Sequence, residues 1–114
     1  MRLNRSLPLR LRISEIMTRR VRSENTPAKQ LNRWRREIDD LDEVILDALE
    51  LRARSVREIG RYKKDHGLPV LDAARERLIL DRVVEKDGLL PTNVRGEIFA
   101  TIIQRMREWE STLE

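Results

Sequence analysis

Residues 28–66 read AKQLNRWRREIDDLDEVILDALELRARSVREIGRYKKDH, with no proline and a single glycine, Gly60. Alternating steps of three and four pick out one helical face: Arg35, Ile38, Asp42, Ile45, Leu49, Arg52, Val56, Ile59 and Lys63. The pattern predicts one helix of about 36 residues, about 54 Å long at 1.5 Å per residue. An unbroken pattern of that length points to a coiled coil or an intertwined bundle. Its apolar members mark a stripe to be buried, yet Arg35, Arg52 and Lys63 interrupt it. A buried, unpaired cation costs several kcal/mol, and an arginine cannot avoid that cost by losing its proton. Either these side chains lie at the wet edge of the stripe or something anionic meets them, and such a conflict between pattern and charge is where function is expected.

Downstream, His66-Gly67-Leu68-Pro69 ends the long helix: Gly67 suits the left-handed position after a helix, and Pro69 prevents continuation. Asp72 reads as the N-cap of a second helix over about 73–87, with Leu78, Ile79, Val83 and Val84 inward. After the break at 87–92, Thr92 reads as the N-cap of a third helix over about 93–113. Its inner face is Val94, Ile98, Phe99, Ile102, Ile103, Met106 and Trp109. The expected fold is all-α, with three helices per chain and a very long first one. Two short helices cannot cover a 54 Å stripe. A second copy of the chain is the simplest cover, so the stripe implies an intertwined homodimeric helical bundle.

The whole chain has 114 residues and a net charge of +4, unevenly placed. Residues 1–30 carry eight basic and two acidic side chains; the remaining residues carry sixteen basic and eighteen acidic. The basic character therefore belongs to an N-terminal arm, 1–30, and the folded domain is expected over 31–114. Leu3, Leu7, Leu9, Leu11, Ile13 and Ile16 suit at most a short amphipathic turn or two, and Ser23-Glu24-Asn25-Thr26-Pro27 reads as a linker. The arm is expected to be disordered or partly helical, and Met17 offers an alternative start. There is no cysteine, and the one histidine, His66, sits in a turn. No metal site is suggested, a reducing compartment fits, and no apolar run approaches the roughly 20 residues needed to span a bilayer.

Geometry also constrains any site. Arg35 and Arg52 are seventeen residues apart, about 25 Å along one helix, too far to grip one small molecule together. An antiparallel partner helix would bring Arg35 of one subunit toward Arg52 and Lys63 of the other. Arg75 and Glu76 fall in the first turn of the second helix, an end that favours anions. Glu110 falls on the apolar row Phe99, Ile103, Met106, Glu110 of the third.

These residues, in this order, resemble the all-helical chorismate mutases. The matching positions are Leu31, Arg35, Ile38, Asp39, Leu41 and Asp42; then Arg52; then Ile59, Gly60 and Lys63. They continue with Gly67, Pro69, Val70, Asp72, Arg75 and Glu76, and end with Ile98, Phe99, Ile102 and Ile103. The resemblance implies a cofactor-free Claisen rearrangement of chorismate to prephenate, feeding phenylalanine and tyrosine synthesis in the cytoplasm. The substrate is a dianion with a breaking ether bond, which accounts for cations on an apolar stripe. Catalysis then rests on holding a compact conformer and stabilising charge on the ether oxygen.

Carried over position by position, Arg35 of the partner subunit and Arg52 hold the two carboxylates. Lys63 donates to the ether oxygen and touches a carboxylate. Asp72 helps at the ring hydroxyl through its backbone, Glu76 accepts from that hydroxyl, and Arg75 orders the site. On the third helix the family commonly has Ser and, four residues on, Gln; this chain has Met106 and Glu110. Met106 cannot donate to a carboxylate. An ionised Glu110 would repel the developing charge, whereas a protonated one would donate in place of the amide.

Two rival readings differ in class. An isochorismate pyruvate-lyase would use the same scaffold, but its link before the second helix tends to lack the full arrangement seen at Asp72, Arg75 and Glu76. A non-catalytic helical dimer could instead bind nucleic acid through the basic arm by counterion release. The slightly acidic domain, without aromatic–basic interleaving, argues against that. The resemblance also allows a partner, another enzyme of the shikimate pathway.

Overall fold

The computed structural model describes residues 6–19 and 26–113. Its elements are four α-helices: α1, Leu9–Arg19; α2, Pro27–Asp65; α3, Ala73–Glu85; and α4, Thr92–Thr112. Among the described residues there is no strand. The last three helices answer the expectation from periodicity; α1 is additional and lies in the basic arm. Leu3 and residues 23–25 of the expected linker lie outside the described residues.

The chain divides into two compact units, residues 1–52 and 53–114, with the boundary inside α2. In the first unit, α1 packs on α2. Ile16 is fully buried and meets Val44, with Leu9 and Leu41 beside them. Arg12 is also buried, and its Nη1 donates to Asp47 Oδ2 at 2.6 Å. Burying that guanidinium without Asp47 would cost several kcal/mol. Arg33 is a second buried cation, with Nε 4.0 Å from Glu37 Oε1 one turn on. Among the described residues of this unit the buried charges are therefore Arg12 and Arg33, whereas Arg35, placed on the stripe by its spacing, is exposed. Thr26 and Pro27, expected to be linker, begin α2. Thr26 Oγ1 accepts from Lys29 N at 3.2 Å, and Pro27 stands at the first helical position, where a missing N–H costs nothing.

In the second unit α2 ends as expected. Gly67 has φ of 65°. Leu68 N donates to Lys63 O at 2.8 Å and Gly67 N to Lys64 O at 3.4 Å, the paired bonds of a Schellman turn. Asp72 caps α3, its Oδ1 accepting from Arg75 N at 3.0 Å. Thr92 does not cap α4. It is the first helical residue, and Pro91 precedes it as a cap without a side-chain hydrogen bond, its carbonyl accepting from Arg95 N at 3.1 Å. Helices α3 and α4 pack together, with Gly96 against Val84: a Cβ on the glycine would stand 3.5 Å from the valine Cγ1.

Among the described residues of one chain, little of the apolar surface is buried. Among the described residues the buried apolar side chains are Ile16, Val44 and Ile103. On the α2 stripe Ile38, Ile45 and Ile59 are 56%, 54% and 51% exposed. Leu78, Val84, Ile98, Phe99 and Trp109, read as inward from their spacing, are likewise exposed. Helical periodicity identifies the apolar face, but burial needs something packed on it.

Candidate active site

Lys63 lies in the last turn of α2, where the Schellman turn folds the following residues back over it. Its Nζ donates to Val70 O at 2.8 Å and stands 3.5 Å from Glu110 Oε2 on α4. The two side chains are 18% and 9% exposed, so the pair is largely shielded from water. Glu110 Oε2 has no hydrogen bond, so its contact with the ammonium is electrostatic. Gly60, one turn before Lys63, makes room for the carboxylate. A Cβ there would meet Glu110 Cγ at 3.1 Å, tighter than ordinary packing allows. A cleft of about 220 Å³ opens beside them, lined by Gly60, Lys63, Lys64, Val70, Glu110 and Leu113 among others.

The N-terminus of α3 carries three more of the expected residues. Asp72 uses its carboxylate in the cap, and the Arg75 side chain is exposed. Glu76 turns toward α4, where Arg107 Nη1 donates to its Oε1 at 2.5 Å. Arg107 was not among the residues singled out by sequence. Its signal was its place on the row Ile103, Arg107, Glu110, spaced by four and three on the α4 face that holds the candidate acid. Met106, at the position of the missing hydroxyl donor, is half-buried.

Lys63, Glu110, Asp72, Arg75 and Glu76 thus belong to the second unit. Arg35 and Arg52 belong to the first, where Arg35 is exposed and Arg52 half-buried. On the outer surface of α4, hydrogen bonds from Arg105 and then Gln104 hold the Glu108 carboxyl below its usual range. Among the described residues no cluster of His, Cys, Asp and Glu could hold a metal ion, and no helix is long and apolar enough to cross a membrane.

The family model for chorismate mutase type II matches residues 34–111. The chain belongs to that family. The match starts at Trp34, after α1, and takes in Arg35, Arg52 and every expected site residue of the second unit. Among curated proteins, the chain is 28% identical to a chorismate mutase of Methanocaldococcus jannaschii over 78 residues, 67% of this chain and 79% of that one. It is 30% identical over 91 residues to a bifunctional chorismate mutase/prephenate dehydratase of Aquifex aeolicus, 75% of this chain and 25% of the relative. A 4-amino-4-deoxychorismate mutase of Streptomyces venezuelae is 39% identical over 57 residues, 50% of this chain and 55% of the relative. The chain thus spans about half of the Streptomyces relative and a quarter of the Aquifex one.

Proposed function

We propose that this member of the chorismate mutase type II family is itself a chorismate mutase, an isomerase that converts chorismate to prephenate without a cofactor. The observation that carries the reading is the shielded Lys63–Glu110 pair beside Gly60, on a cleft within the family match. The Lys63 ammonium and the Glu110 carboxyl face one another across 3.5 Å. A dianionic substrate supplies carboxylate to the ammonium, leaving Lys63 to donate to the ether oxygen. Glu110 fills the place of the family's usual amide donor toward the same oxygen. Charge building on that oxygen in the transition state strengthens both contacts, and an interaction that grows toward the transition state is what accelerates a reaction.

The remaining roles follow the family pattern: Arg52 and Arg35 of the partner subunit hold the carboxylates, Asp72 and Glu76 serve the ring hydroxyl, and Arg75 orders the site. The active species is an intertwined homodimer with shared sites, built by the domain at 31–114. Its support is the α2 stripe, whose isoleucines are more than half exposed in one chain. Apolar rows of that extent are usually covered. A cytoplasmic enzyme working beside another shikimate-pathway enzyme fits this reading. Neither the lyase nor the nucleic-acid reading gains an observation in its favour.

The decisive experiment is a chorismate disappearance assay on the purified full chain, with Arg52→Ala as control. Turnover in the parent and its loss in the variant are expected. Absence of turnover in the parent rejects the reading.

A further inference from the structure

We infer that Arg107, through its pair with Glu76, selects a hydroxyl over an ammonium at ring carbon 4 of the substrate. The inference rests on the chorismate mutase reading, in which Glu76 accepts from the ring hydroxyl. It adds a residue that this reading does not use.

Glu76 and Arg107 are joined at 2.5 Å, with side chains 23% and 32% exposed. Arg107 stands three residues before Glu110 on α4, about 4.5 Å along the axis, and so shares its face. Glu76 sits in the same first turn of α3 as the Asp72 cap. The pair therefore borders the region where the other proposed site groups of the second unit lie. Its net charge is zero. Its contact with Arg107 occupies one carboxylate oxygen, Oε1, and Oε2 is left to accept a neutral hydroxyl.

An amino group at the same carbon meets different electrostatics. An aliphatic amine is protonated near neutral pH, and its ammonium would face the Arg107 guanidinium as a like charge. A lone Glu76 would instead attract it. Discrimination of this kind comes from a repulsive element placed against the wrong ligand rather than from a better contact with the right one. Both substrate types occur among the relatives: two are chorismate mutases by name, and one is a 4-amino-4-deoxychorismate mutase.

The test compares kcat/KM for chorismate and for 4-amino-4-deoxychorismate in the parent, Arg107→Met, Arg107→Lys and Glu76→Gln proteins. The parent is expected to favour chorismate. Arg107→Met should shift the amino-to-hydroxyl ratio toward the amine by about tenfold or more, the scale of one unscreened charge contact. Arg107→Lys, which keeps the charge, should stay near the parent ratio, and adding Glu76→Gln to Arg107→Met should cancel the gain. A merely structural Arg107 would lower both activities together and leave the ratio alone, which overturns the inference. If Arg107→Met does not fold, Glu76→Gln alone decides. It leaves the guanidinium uncompensated, so the amine must be disfavoured further, and an unchanged ratio overturns the inference. A parent that turns over neither substrate rejects the functional reading itself. A parent active on chorismate with an unmoved ratio rejects only the role of Arg107.

Discussion

Gly60 and Glu110 touch across α2 and α4: the space a β-carbon at residue 60 would fill ends 3.1 Å from the Glu110 Cγ. A glycine inside a helix costs about 1 kcal/mol relative to alanine. Here it gives a carboxylate room beside Lys63. Gly60→Ala should therefore separate stability from activity. The helix gains propensity and the flexible Glu110 side chain can give by tenths of an ångström, so stability should stay within about 1 kcal/mol of the parent. Chorismate turnover should fall by about tenfold as Glu110 is displaced, in keeping with the cost of small misplacements in a site. Thermal unfolding and initial rates measured together check this, and full activity in Gly60→Ala would remove Glu110 from the chemistry.

Glu110 offers a test of the group beside Lys63. In the proposed site residue 110 faces the ether oxygen, where an amide N–H donates to the charge that forms and a methyl group does not. Glu110→Gln should therefore keep chorismate turnover within about tenfold of the parent. Glu110→Ala should lose about a hundredfold or more, the scale of removing one donor to a developing oxyanion. Initial rates at saturating chorismate in the three proteins decide the matter, and a Glu110→Ala protein as active as the parent discards the role of Glu110.

Subunit sharing is tested by mixing. Arg35→Ala and Lys63→Ala should each be inactive alone. Unfolded together and refolded as random dimers, they should recover about a quarter of parental activity. Half of such dimers are mixed, and each mixed dimer has one intact site of two. Activity no greater than the sum of the separate variants would mean that each site is built within one chain.

The Arg12–Asp47 pair should matter for the helix rather than for the chemistry. Arg12→Met keeps the bulk but leaves the Asp47 carboxylate without that partner. Because Asp47 is partly open to solvent, a loss of about 1–3 kcal/mol is expected. Amide hydrogen exchange should show α1 losing protection ahead of α3 and α4. Uniform protection in the variant would mean that the Ile16–Val44 contact alone holds α1.

The family pattern explains why so much of the second unit was legible. Gly67, Asp72 and the run over 28–66 act through bonds that reach at most five residues along the chain, so residue type and spacing place a Schellman turn, a cap and a helix, missing only its first residue, Pro27. Lys63 inherits its position from that turn. By contrast, Thr92 looked like a cap, yet the α4 helix begins one residue earlier in hydrogen bonding because Pro91 supplies the first carbonyl.

Helix α1 was only half legible. Its leucines and isoleucines suggest a turn or two, but what buries Ile16 is Val44 on another helix, and what tolerates Arg12 is Asp47, 35 residues away. The Arg107–Glu76 pair spans 31 residues, and Gly60 meets Glu110 only because α4 returns to the end of α2. Helix positions, turn chemistry and the order of charged residues were thus written in the chain itself, because each depends on neighbours a few residues apart. Which cation is buried, which carboxylate it neutralises and which glycine makes the room were decided by packing. Coulomb attraction and steric exclusion act through space, and one sequence read along its length contains no distances between its distant parts.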